Sequence, residues 1–117
     1  MEHRTPVLLV LFYKTDGGTE PVREWLRSLG QEDRKSIGED LGAVQFKWPT
    51  GMPLVRKLER NLWEIRSHIG DGIARIFFTI REDRMILLHG FVKKSQSTPL
   101  GELNIARERR RIHGQQT

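Results

Sequence analysis

The sequence predicts an α+β fold, with two N-terminal helices and a C-terminal helix packed on a twisted antiparallel sheet of four to five strands. Three observations carry that prediction. Apolar residues between Thr19 and Trp48 recur at the spacing of a helical face. Those between Val55 and Lys93 alternate with a period of two. Strands and helices also come in separate runs instead of alternating, which places helices on one face of an antiparallel sheet.

Val7 to Lys14 is a β-rich run closed by the turn signal Thr15-Asp16-Gly17-Gly18. Val22, Trp25, Leu26 and Leu29 then mark one helical face, with Pro21 in the first turn and Gly30 as the stop. A second helix begins near Glu32, its stripe formed by Ile37, Leu41, Val44 and Trp48. Gly38 and Gly42 weaken it, and close helix–helix approach is the expected reason for both. After Pro49-Thr50-Gly51-Met52-Pro53 come four short strands, Val55 to Leu58, Leu62 to His68, Ile73 to Ile80 and Met85 to Lys93. Asn61, Gly70-Asp71-Gly72 and Glu82-Asp83 separate them, the pattern of a meander. Thr98 then caps a last helix with Pro99 at its first position, running through Leu103 and Ala106 into the basic stretch Arg107 to Arg111. That stretch reads as a solvated, partly frayed helix end, flexible from about residue 110, with contact to a nucleic acid or a protein partner as the second reading.

A length of 117 residues suits one domain spanning 1–117, and the chain has no cysteine. Disulfides and thiolate zinc sites are therefore excluded, and a reducing, cytoplasmic setting is expected. The apolar run near the N-terminus is too short to span a bilayer, so no membrane association is expected. His3, His68, His89 and His113 lack metal-ligand spacing, no glycine-rich phosphate loop precedes a helix, and no serine sits in a nucleophile elbow. Neither metal nor cofactor is expected. Net charge is +5 and unevenly spread. Met1 to Leu54 holds seven Lys/Arg against eight Asp/Glu, whereas Val55 to Thr117 holds thirteen against seven. A field of that shape favours nucleic acid, an anionic surface or an acidic protein.

Strand parity distributes the charges, because successive residues face opposite sides of a sheet. With Trp63, Ile65, Ala74, Ile76, Phe78, Ile80, Ile86, Leu88 and Val92 directed at the helices, the open face gathers Lys57, Glu64, Arg66, Arg75, His89 and Lys93. Phe77, Phe91 and Leu87 emerge among them. Cations around aromatic rings suit single-stranded RNA, whose phosphates need positive charge and whose unstacked bases need a plane to lie on. Taken one at a time, such residues are more simply cross-strand pairs on a solvated sheet.

Leu62-Trp63-Glu64-Ile65-Arg66, then Arg75, then Leu88-His89-Gly90-Phe91-Val92-Lys93-Lys94 with Pro99 and Glu102 resemble the phage-derived HigB-like toxins of the RelE/ParE superfamily. The resemblance covers roughly Val22 to Arg109. It implies a RelE/ParE-like fold and the toxin of a type II toxin–antitoxin system, an endoribonuclease that cleaves mRNA on the ribosome without a metal. It also implies a helix-turn-helix, HigA-like antitoxin, with operator DNA engaged only through that partner. One departure stands out: those toxins tend to carry Lys-Lys-Thr-x-Lys-Thr-Pro where this chain has Lys93-Lys94-Ser95-Gln96-Ser97-Thr98-Pro99, one cation fewer at Ser97.

Metal-free RNA cleavage needs a base for the 2′-hydroxyl, positive charge at the phosphorane and a proton for the departing 5′-oxygen. Arg66 and Arg75 suit the second task, because a guanidinium offers phosphate a fixed, permanently charged fork. His89 and Lys93 are the candidates for proton transfer. Glu64 supports a neighbouring cation, and Lys57, Arg56, Lys94, Phe77 and Phe91 are candidate RNA contacts. Arg75→Ala is expected to abolish growth inhibition in a folded protein. The competing readings are a non-enzymatic ParE-like inhibitor of DNA gyrase, and an inactive prophage remnant that only binds its antitoxin.

Overall fold

Eight elements follow the predicted order closely: β1 (Leu9–Phe12), α1 (Pro21–Ser28), α2 (Gln31–Lys47), β2 (Val55–Glu59), β3 (Leu62–Ile69), β4 (Gly72–Arg81), β5 (Arg84–Lys93) and α3 (Leu100–Gln115). The computed structural model describes residues 5–70, 72–93 and 99–116. Pro21 opens α1, and Gly30, in extended backbone, is the only residue between Leu29 and α2. Thr98, expected as the cap of α3, lies outside the described residues; Pro99 is the residue that precedes the helix.

The five strands form one sheet in the order β1-β5-β4-β3-β2. It is mixed rather than wholly antiparallel, because β1 runs parallel to β5 with Leu9 opposite Arg84 and Phe12 opposite Leu87. The two helices that follow β1 carry the chain across the sheet before the meander starts, so β1 lands beside the last strand instead of the first. That partner is remote in sequence and no local pattern announces it.

Helices cover both faces, not one. On the first face α1 and α2 pack Val22, Ile37, Leu41 and Val44 against Ile65, Ala74, Ile76, Phe78, Met85 and Leu87. On the other, α3 lays Ala106, Leu103 and Ile112 over Leu62, Phe77, Ile86 and Leu88. A bulge explains the second layer. Phe77 pairs with His89 but Phe78 pairs with Leu87, so Leu88 is an extra residue in β5. Parity is inverted upstream of it: Leu87 points to α1 and α2, whereas Ile86 and Leu88, expected there, face α3. A strand with apolar residues on both sides needs cover on both sides.

Two further expectations are corrected. No atom lies within 4 Å of where a Cβ would stand on Gly38 or Gly42, so neither glycine serves close packing. The basic stretch of α3 is not frayed: the helix continues through Gln115, and Arg107 and Arg110 both bond Glu59.

Candidate functional site

The α3-side face of the sheet is organised in cross-strand rows. Arg56, Glu64, Phe77 and His89 form one row, Arg66, Arg75 and Phe91 the next, and His68, Ile73 and Lys93 the third. Two arginines directly opposite each other repel unless a carboxylate intervenes. Glu64, one row away and fully buried, supplies it. Its two oxygens accept from Arg75 Nη1 at 3.1 and 3.2 Å, and Oε1 lies 4.0 Å from Arg66 Nε.

Burial grades the cations. Arg75 is 2% exposed and Lys93 5%, whereas the side chain of Arg66 is 27% exposed and Arg56 is open to solvent. Among the described residues Arg66 Nε, Arg75 Nε and Lys93 Nζ are buried donors without a hydrogen-bond partner. Burial holds Lys93 below the usual lysine range, and Arg75 adds to the effect; Glu64 opposes it, while Arg56 and Arg66 reinforce it. One carboxylate thus sits among four cations. Three unmatched donors and a surplus of positive charge leave the cluster able to hold an anion, since buried polar groups are otherwise paired.

His89 is placed differently from a free acid–base group. Its Nε2 pairs with Glu102 of α3, its Nδ1 lies 3.4 Å from Arg109 Nη1, and its ring stacks on Phe91 at 5.6 Å. Both nitrogens are therefore occupied by α3. Arg109 also donates to the Leu88 carbonyl at 2.8 Å and lies over Tyr13; burial lowers the pKa of its guanidinium. Sequence reading did not include Arg109 or Tyr13 among the site residues. The signal for Arg109 was present, since Glu102, Ala106 and Arg109 follow the four- and three-residue steps of one helical face.

Of the residues expected on this face, Glu64, Arg66, Arg75, His89, Phe91 and Lys93 share it, together with Arg56. Lys57 does not. It pairs with Trp63 on the α1 and α2 side, its ammonium 5.9 Å from that ring, because Val55 and not Leu58 is the β2 residue buried on that side, while Leu58 packs under α3. Phe77 is on the expected face but fully buried in the α3 cluster, so it offers no base a surface. Lys94 and Ser97 lie outside the described residues. Because Arg75 is buried on Glu64, Arg75→Ala is expected to lower stability as well as growth inhibition.

Residues 24–111 match the family model for phage derived protein Gp49-like (DUF891). The chain belongs to this Gp49-like family. The family is associated with the toxins of toxin–antitoxin systems, an association that implies an antitoxin partner in general. No curated protein matches the chain. Among the described residues no helix is long and apolar enough to cross a membrane, and no group of three His, Asp or Glu side chains could hold a metal ion.

Proposed function

We propose that this Gp49-like chain is the toxin of a type II toxin–antitoxin system and acts as a metal-independent, ribosome-dependent endoribonuclease on mRNA, held in check by a helix-turn-helix antitoxin. The single observation that carries the reading is the partly exposed Arg66 at the mouth of a buried cluster in which Glu64 fixes Arg75 and Lys93 keeps an unmatched Nζ. In this reading the scissile phosphate rests on Arg66, and Arg75 stabilises the phosphorane charge from behind at no reorganisation cost, because its guanidinium is already held. Lys93 takes the proton of the 2′-hydroxyl as the neutral amine, the form that its lowered proton affinity favours, and becomes the ammonium. The 2′-oxygen then bonds to phosphorus as the bond to the 5′-oxygen breaks, leaving a 2′,3′-cyclic phosphate, and the departing oxygen takes a proton from water on the open side. Phe91, stacked on His89, offers the adjoining base a surface, and His89 acts as a positioning residue for it.

Induced expression with mapping of transcript ends tests the proposal. Wild type should generate new 5′ ends within translated messages, and Arg66→Gln should reduce them by about two orders of magnitude, the usual loss when one charge-stabilising donor is removed. Circular dichroism should be unchanged, because Arg66 is partly exposed and its closest carboxylate oxygen is 4.0 Å away. Intact transcripts with blocked supercoiling would instead place the chain with gyrase inhibitors.

A further inference from the structure

A row of cations leads out of the cluster along the free edge of the sheet. Among the described residues β2 has no neighbour beyond it; it carries Arg56, which belongs to the cluster, and Lys57, which faces the α1 and α2 side, with Arg60 directly after its end, all three exposed. Among the described residues none of the three makes a side-chain ion pair. Charges on an edge strand block unwanted pairing, and Arg56 with Lys57 would suffice for that. The fold adds more. α3, from the far end of the chain, delivers Arg107 and Arg110 to the same corner, where Glu59 accepts Arg107 Nη2 at 2.7 Å and Arg110 Nη2 at 3.0 Å. Arg110 also donates to the Arg60 carbonyl at 2.9 Å, and Arg107 to Asn104. One carboxylate thus pre-orients two guanidiniums and leaves the edge strongly positive. An open cleft of about 480 Å³, bounded by Arg60, Asn61, Arg81 and Arg110, ends the row. Its size lies in the range of small-ligand sites.

From Arg56 to Arg60 the strand covers roughly 13 Å, longer than one phosphate group. The acidic residues Glu32, Asp33, Glu39 and Asp40 belong to α2, on the opposite face of the sheet, so they do not cancel this field. We infer that an RNA backbone leaves the cluster at Arg66 and follows the outer edge of β2 to the corner formed by Arg60, Arg107 and Arg110. The inference rests on the nuclease reading and extends it from one phosphate to a track of several. The recognised chemistry is the ribose-phosphate backbone, supplied by single-stranded message or by duplex ribosomal RNA.

The test is equilibrium binding of a fluorescent, uncleavable 2′-O-methyl oligoribonucleotide, single-stranded in one arm and a hairpin duplex in the other, over a series of salt concentrations. Arg60→Gln, at an exposed side chain, should lower the salt slope of log K by about 0.7 for the single strand, and Arg60→Gln with Arg107→Gln by about 1.4. A drop with the single strand assigns the track to message, and a drop confined to the hairpin assigns it to ribosomal RNA. Unchanged slopes with both probes overturn the track, as does failure of wild type to bind either. Transcript-end mapping keeps the two readings apart: cleavage with unchanged slopes removes only the track, and lowered slopes without any cleavage remove only the nuclease.

Discussion

Glu64 is the residue on which the cluster depends, because it is the one carboxylate among Arg56, Arg66, Arg75 and Lys93. Its value is revealed by removal, since a buried ion pair contributes little net stability while an abandoned buried charge is expensive. Glu64→Gln should cost about 3–5 kcal/mol, read from the denaturant midpoint. Glu64→Gln combined with Arg75→Met should cost less than the sum of the single changes, because the stranded guanidinium is gone. Additive losses would show that the two side chains do not act as a pair. Lys93 makes the converse case. Its folded pKa lies below its unfolded one, so the unfolded chain binds more protons in the alkaline window between them and stability rises with pH there. Below the folded pKa the charged form carries the full penalty. Lys93→Met should therefore raise stability at pH 7 and flatten the rise toward pH 10. Equal stability of the two proteins at pH 7 would count against a strained Lys93.

At the scale of elements, β5 sets the site. Its bulge at Leu88 sends Ile86, Leu88, His89 and Phe91 to one side within six residues, so the same strand both supports α3 and presents the site. Its other side depends on Gly90, whose absent side chain makes room for Trp25 of α1: a Cβ there would stand 2.5 Å from Trp25 Cε3. Gly90→Ala should destabilise by about 1–3 kcal/mol through overpacking, with the loss visible in the denaturant midpoint and in altered Trp fluorescence. A neutral Gly90→Ala would mean that the ring moves aside freely. α3 is anchored at three places, by Glu102 and Arg109 on His89, by Arg107 and Arg110 on Glu59, and by Arg81 donating to the His113 carbonyl at 3.0 Å. Residues that look like a basic tail in sequence are thus fastening points, because an arginine finds its carboxylate wherever the fold delivers one.

Across the whole molecule, positive charge is set apart from the balanced layers. α1 and α2 together carry five acidic and five basic side chains, whereas β2 and α3 carry six Lys/Arg against three Glu. The salt slope expected of the β2 edge is a property of that separation and not of any single arginine. Element identity was legible in sequence because helical and strand periods are local: α1, α2 and the four meander strands appear within a few residues of their expected ends. The sharing of one face by Arg66, Arg75, His89 and Lys93 was legible for the same reason, since no bulge falls inside the segments 64–66, 73–77 and 89–93. Tertiary structure alone decided the parallel place of β1, the second helical layer, the depth of Arg75 and Lys93, the removal of Lys57 to the other face and the joining of Glu59 to α3. A repeat of two or 3.6 residues is written in neighbouring side chains, whereas a bulge, a strand partner or an ion pair across fifty residues depends on which distant surfaces can be buried together.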